Sequence, residues 1–337
     1  MINKTDIISA YRILLNREPE SENVVNSYSK ISTLEELYRV FIQSEEFKNR
    51  YNSLVKSSLA QPLDWPKIQV ETDVSSEQLE LMIDRIAESW KNLGESEPYW
   101  SVISSEQFKT SEFSKNIEKT SEHFYSSGKR TIELLEKILA RLNLNLSNYQ
   151  VCLEYGCGVG RVTRWLAERF SRVVAYDIST THINIARTML HEVGLLPKTQ
   201  LCVVENLSTL RNLPVYDFFL SIIVLQHNPP PIIGFILHQL LDQLRVGGIG
   251  VFQVPTYAKN YSFSVETYLA RASNKIGEVE MHVFPQSALF SLFNILGCEV
   301  LEFREDSWVG DRNWISNTIV VKKVRKTVRG VINSISI

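Results

Sequence analysis

The stretch Val151-Cys152-Leu153-Glu154-Tyr155-Gly156-Cys157-Gly158-Val159-Gly160-Arg161 has the texture of a strand, a glycine turn and the start of a helix. Glycines let a main chain come close to a ligand, and a helix N-terminus offers free N–H groups to negative charge. A tight strand-to-helix turn without a ligand has the same look, so its surroundings must decide. From Gln150 onward, short apolar runs alternate with amphipathic stretches, the pattern of a parallel sheet covered by helices. Strands are expected at Val151 to Tyr155, Val173 to Asp177, Leu201 to Val204, Asp217 to Leu225, Ile249 to Val254, Glu299 to Glu305 and Thr318 to Lys322. Helices are expected at Arg161 to Phe170, Thr180 to Val193, Pro231 to Leu244 and Pro285 to Leu296. Gly194, Gly247 and Gly297 stand just past three of them, where a left-handed backbone is needed.

Two acids give the turn its chemistry. Glu154, two residues before the first glycine, would repel a dinucleotide pyrophosphate but attract a cation. S-adenosylmethionine carries a sulfonium and an ammonium beside one carboxylate, so Glu154 suits its positive end, while turn amides or Arg161 face the carboxylate. The spacing Gly156-x-Gly158-x-Gly160 also departs from the G-x-G-x-x-G dinucleotide fingerprint. Asp177 closes the next strand, seventeen residues after Gly160, where an acid can accept hydrogen bonds from both ribose hydroxyls; it can also serve as a helix cap.

With the glycine turn and its acid in this order, the chain from about Tyr149 to Lys322 resembles the class I S-adenosylmethionine-dependent methyltransferases. The resemblance implies an α/β fold, a Rossmann-like seven-stranded methyltransferase sheet with helices on both faces, here preceded by an all-α N-terminal region. It implies that Glu154, Gly156, Gly158 and Gly160 form the family's first motif, that Ile178 packs on the adenine, and that Asn206 and Leu207 lie beside the adenine edge. Leu244 to Phe252 looks like the family's glycine-marked return into the fifth strand, with Val246 where proline is common. In similar methyltransferases the helical segment before the first strand forms a lid, which here would bring Tyr99 and Tyr125 toward the cofactor and the acceptor.

Methyl transfer from a sulfonium is an in-line displacement, so the enzyme chiefly holds the acceptor, excludes water and removes a proton from a hydroxyl. His227 ends the fourth strand region, in Gln226-His227-Asn228-Pro229-Pro230-Pro231, and is the candidate base; ordering that loop is its other reading. His282, before a late helix, could touch substrate or cap the helix. Asn228-Pro229-Pro230-Pro231 lacks the aromatic ring of an amino-group methylase that acts on a flipped base. The acceptor is expected to be a small molecule or saccharide hydroxyl. An N-methyltransferase, an NAD-dependent oxidoreductase and a non-catalytic adaptor are the rival readings.

The N-terminal fifty residues are helical in period. Tyr11 to Pro19 and Ser44-Glu45-Glu46-Phe47 resemble a short helical domain that often accompanies bacterial glycan-related and surface-related enzymes, and Thr33 to Glu36 fits a capping box. The expected organisation is a helical domain at 1–56, a linker at 57–74, a helical cap or lid at 75–148, the S-adenosylmethionine-binding domain at 149–323 and a basic tail at 324–337. Within the cap, a helix from Ser75 is expected to stop at Gly94, and a second to break at Ser126-Ser127-Gly128. The 337 residues have a net charge of −2 and are 44% hydrophobic, which supplies a core and no global field toward nucleic acid. The four cysteines have no metal or disulfide spacing, so a cytoplasmic location with reduced thiols and no metal is expected. Basic residues after Asp311 could touch an anionic membrane bearing a lipid-linked acceptor.

Overall fold

The computed structural model describes residues 2–28, 30–47, 65–271 and 279–327. The chain falls into two compact units, Met1–Trp65 and Pro66–Ile337. In the first, α1 (Lys4–Ala10), α2 (Glu22–Ser27) and α3 (Leu34–Gln43) enclose Ile7, Tyr11, Leu37 and Phe41. The box at α3 is half formed: Thr33 Oγ1 accepts the Glu36 N–H, but the Glu36 carboxylate accepts from Ser32 instead of Thr33. Arg17 forks onto Glu46 at 2.6 and 2.7 Å and lies over the Tyr11 ring, which ties together the two segments singled out in the sequence. The rest of the helical domain and the first part of the linker, residues 48–64, lie outside the described residues.

In the second unit the strands of the main sheet are β1 (Val151–Tyr155), β2 (Arg172–Asp177), β3 (Thr199–Val203), β4 (Tyr216–Ser221), β5 (Leu244–Ala258), β6 (Cys298–Asp306) and β7 (Trp314–Lys323), and Gln69–Val70 pairs with Ser262–Phe263 in a separate two-stranded sheet. Strands β1 to β7 form one seven-stranded sheet in the order β3-β2-β1-β4-β5-β7-β6. The first five are parallel and β7 runs antiparallel to both neighbours. The order reverses between β1 and β4, and at such a switch point the carboxyl ends of the strands leave a crevice for ligands. Helices on both faces bury near-continuous apolar strands such as Phe218-Phe219-Leu220, as parallel sheets require. This is the expected Rossmann-like methyltransferase fold.

Three local expectations are corrected. The strand expected to run to Leu225 ends at Ser221, because Ile223 adopts φ +59 and Leu225–His227 make one tight helical turn. Helix α4 (Ser76–Ser96) runs through Gly94, which is a packing position: a Cβ there would lie 2.2 Å from Ser179 Oγ. Helix α5 (Ile117–Arg141) is unbroken. Ser126 and Ser127 return their hydroxyls to the carbonyls of His123 and Phe124, and Gly128 lets the helix come against the Arg161 carbonyl, 2.1 Å from an added Cβ. The connecting helices are α6 (Thr163–Arg169), α7 (Thr180–Glu192), α8 (Leu207–Arg211) and α9 (Pro230–Gln243), with α10 (Val265–Ala270) and α11 (Gln286–Ile295) before β6.

The basic residues near the C-terminus are partly used by the fold. Lys323 is 1% exposed and donates to the Leu241 carbonyl, while Arg325 donates to the Asn294 carbonyl at 2.7 Å. Residues 328–337, including Arg329, lie outside the described residues. Among the described residues no helix is long and apolar enough to cross a membrane, and no group of three or more His, Cys, Asp or Glu could hold a metal ion.

Candidate active site

The glycine turn after β1 has φ +80, +52 and +84 at Gly156, Gly158 and Gly160, a backbone that other L-residues rarely adopt. It is also crowded: a Cβ on Gly156 would lie 2.3 Å from Val224, and one on Gly158 2.6 Å from Val102. The turn amides are spent internally. Gly156 and Cys157 donate to the Tyr176 carbonyl, Gly158 donates to Asp177 Oδ2 at 2.7 Å, and Gly160 donates to Cys157. Facing a ligand carboxylate therefore falls to Arg161 and not to these four amides.

Around the turn opens a cleft at the carboxyl ends of β1, β2 and β4, where ligands of open α/β sheets bind. Glu154, Gly156, Gly158, Arg161, Asp177, Ile178 and His227 all line it. Asp177 sits at the end of β2, buried, and accepts from the Ser179 N–H at 2.9 Å. Its Oδ1 also meets His182 Nδ1 at 3.3 Å, and His182 Nε2 meets Ser101 Oγ at 3.0 Å. This chain of contacts joins the segment after α4 to the acid of β2. Sequence reading missed His182 and Ser101, since a polar residue two positions into a helix has no signature beyond N-terminal polarity.

Glu154 is 5% exposed, and Thr163 Oγ1 donates to its carboxylate at 2.6 Å. Burial is the larger influence and pushes its pKa up to about 8, with Thr163 and Arg161 pulling the other way. At neutral pH the group is therefore mostly protonated at rest, a correction to the full carboxylate read from the sequence. Arg161 carries the complementary demand. Its Nε is buried with no hydrogen-bond partner, and its terminal nitrogen reaches Ser127 and Thr131 only at 3.4 Å. A buried, underused guanidinium beside a ligand cleft is completed by an anion.

At the other end, His227 Nδ1 meets the Glu280 carbonyl at 2.9 Å, so it carries the proton. Gln226 presents its amide to Nε2 at 3.2 Å, an orientation fixed in turn by Gln253, whose Oε1 accepts the Ile223 N–H. Burial lowers the His227 pKa to about 4. The ring is thus neutral, with its lone pair already held by Gln226. Trp90 lies 5.5 Å from it and lines the same cleft as an aromatic wall.

The remaining expected residues lie outside the cleft. Gly160 packs on Met189 and Ala186. Asn206 caps α8 by accepting from Ser208 and Thr209, and Leu207 is fully buried in the core. Tyr125 donates to the Val159 carbonyl from a buried position, and Tyr99 stacks on Phe113. The lid aromatics therefore pack around Val159 of the turn and leave Trp90 as the ring facing the cleft. His282 sits behind His227, held by Tyr261 at 2.8 Å and Glu280 at 3.0 Å.

Residues 152–248, which span the glycine turn, Asp177 and His227, match the family described as a methyltransferase domain. The chain carries a methyltransferase domain. Similar solved structures include magnesium protoporphyrin IX methyltransferase from Synechocystis PCC 6803 with bound S-adenosylhomocysteine, at 15% identity and TM-score 0.48, covering 71% of this chain and 99% of that one. An S-adenosylmethionine-dependent methyltransferase from Clostridium acetobutylicum ATCC 824 overlaps at 15% identity and TM-score 0.45, covering 61% and 99%. The N-methyltransferase NodS from Bradyrhizobium japonicum WM9 overlaps at 14% and 0.41, covering 57% and 87%. No curated protein matches the chain.

The methyltransferase cleft fits S-adenosylmethionine on its own donor set. Arg161 has an unused buried N–H for the carboxylate, Glu154 can ionise beside a cation, and Asp177 reaches the cleft from the end of β2. Ile178 and Val224 supply apolar wall, as a purine needs.

Proposed function

We propose that this methyltransferase moves the methyl group of S-adenosylmethionine to a hydroxyl oxygen of a small molecule or saccharide. The observation that carries the reading is one cleft holding Glu154, Arg161 and Asp177 at the glycine turn and His227 beyond it. When bound, the donor supplies a methyl group on a positively charged sulphur that leaves as a neutral thioether. Arg161 would hold the donor's carboxylate, Glu154 its cationic end and Asp177 the ribose hydroxyls. Val224 and Val102 press on the turn and help to exclude water from the reacting centre. His227 Nε2 would take the acceptor's proton, exchanging the Gln226 amide for the hydroxyl. The saccharide class rests on the resemblance of the N-terminal unit to domains attached to glycan-related enzymes.

A second reading, N-methylation, is favoured by the state of His227. A base with a pKa near 4 and an occupied lone pair gives little help with a hydroxyl proton, whereas a neutral amine attacks without one being removed first. The deciding experiment incubates the protein with methyl-labelled S-adenosylmethionine and extracts fractionated into glycans, proteins and small metabolites. Label in methyl ethers supports O-transfer, and label confined to amines selects the second reading. A His227→Ala variant is expected to lose about 10²-fold or more in kcat if the ring is the base; an unchanged kcat from pH 6 to 8 removes it from proton transfer. Titration with S-adenosylhomocysteine and NADH tests the donor, and binding of NADH alone overturns it.

A further inference from the structure

Three donors converge on Asp177. The Gly158 N–H reaches Oδ2 at 2.7 Å, the Ser179 N–H reaches Oδ1 at 2.9 Å, and His182 Nδ1 stands 3.3 Å from the same Oδ1. A carboxylate accepts at roughly four lone-pair sites and donates at none. The contact therefore puts the His182 proton on Nδ1, fills Oδ1 and leaves Asp177 a single place, on Oδ2. That is room for one ribose hydroxyl and not for two. The neutral ring then turns the lone pair of Nε2 toward Ser101 Oγ, 3.0 Å away, and the hydroxyl's one proton is divided between that nitrogen and the Pro98 carbonyl at 3.1 Å. With the ring in this form, nothing among the described residues donates to Ser101 Oγ. Ser101 is half-buried, lines the same cleft as Asp177 and is joined to it through one imidazole. Its neighbour Val102 already lies over Gly158, whose N–H binds the acid. The segment after α4 thus brings an open acceptor to the side of an acid that is nearly full.

We propose that Ser101 is a donor-binding residue: one ribose hydroxyl of S-adenosylmethionine donates to Asp177 and the other to Ser101 Oγ, with His182 as the wedge that enforces the division. The proposal rests on the donor reading above and deepens it, since there the acid takes both hydroxyls. No covalent bond changes; each hydroxyl gives one hydrogen bond. His182 is a positioning residue, which fills Oδ1 on one side and holds Ser101 on the other.

The test titrates the full-length protein calorimetrically with S-adenosylhomocysteine and with its 2′-deoxy and 3′-deoxy forms. In the wild type both deoxy compounds should bind more weakly, one by about tenfold or more for the hydrogen bond lost to a carboxylate and the other by about fivefold for the one lost to a hydroxyl. Ser101→Ala should weaken S-adenosylhomocysteine about fivefold, close the smaller gap and leave the larger one. Its unchanged affinity for the compound that lacks the Ser101-bound hydroxyl reports that the variant folds. Adding His182→Met releases Oδ1, so the double variant should again discriminate against both deoxy forms, a recovery that loss of packing cannot produce. Two gaps that survive Ser101→Ala overturn the proposal, as does an equal loss of affinity for all three compounds. A gap that stays closed in the double variant overturns it as well. If the wild type fails to bind S-adenosylhomocysteine, the donor reading falls and takes the proposal with it; if that compound binds and Ser101→Ala changes no gap, the division of the hydroxyls falls alone.

Discussion

Glu154 binds a proton at rest because burial outweighs Thr163 and Arg161, and a ligand cation would drive that proton off. The sign follows from linkage: the form that favours the cation is the ionised one, so affinity should rise with pH up to about 8 and level off above it. For S-adenosylmethionine the rise below pH 8 is expected to approach about tenfold per unit. Calorimetry at pH 7 in buffers of different ionisation enthalpy should detect proton release on binding. Glu154→Gln should bind more weakly, with no pH dependence over the same interval; an unchanged slope in that variant would assign the proton elsewhere. Glu154, Asp177 and Arg161 were legible in the sequence because strand-turn-helix spacing fixes where they stand. The protonation of Glu154 was not, since it depends on surroundings that close only when α5 and α6 pack. Trp90, Ser101 and His182 escaped for a related reason: they come from the region before the first strand or from a helix start, and only tertiary contact brings them to the cleft.

The loop between β4 and α9 carries backbone strain at a site wall. Ile223 is β-branched and holds φ +59, kept there by its N–H to Gln253, and such a conformation costs about 1–3 kcal/mol. Ile223→Gly is expected to recover part of that strain while loosening the His227 turn. Thermal unfolding should show little loss or a slight gain, and kcat should fall, because Gln253 orders Gln226 and through it His227. A fall in stability with kcat intact would show that Ile223 serves packing alone. Elements of the sheet were readable because parallel strands buried on both faces give apolar runs that punctuation by Gly194, Gly247 and Gly297 separates. The end of the fourth strand was not, because Ile222-Ile223-Val224-Leu225 keeps the composition of a strand while its backbone turns away. The apparent break at Ser126-Ser127-Gly128 misled in the opposite sense: residues that favour turns in isolation were placed there by what lies against them.

Over the whole molecule, the two compact units have separate cores, one around Tyr11 and Phe41 and one around the sheet. A fragment covering 66–337 is expected to bind S-adenosylhomocysteine with the affinity of the full chain, measured by titration; loss of binding would show that the donor site needs the first unit. The stability of the protein without ligand should carry two opposed pH terms. Glu154, whose folded pKa is raised, stabilises fully below its ordinary value near 4.5, and this is lost as pH climbs through about 8. His227, whose folded pKa is depressed, stabilises above 6.5, and this is lost as pH falls through about 4. Between pH 6.5 and 8 only the first operates, so Tm should decline over that interval in the wild type and stay flat in Glu154→Gln. Gly94 and Gly128 reach beyond their own helices. Replacing a mid-helix glycine by alanine ordinarily strengthens a protein by about 1 kcal/mol, yet here each added methyl would strike Ser179 or the Arg161 carbonyl. Thermostabilisation schemes that rank substitutions by helix-forming tendency will therefore select, among the helical glycines, two positions where the added methyl meets a wall.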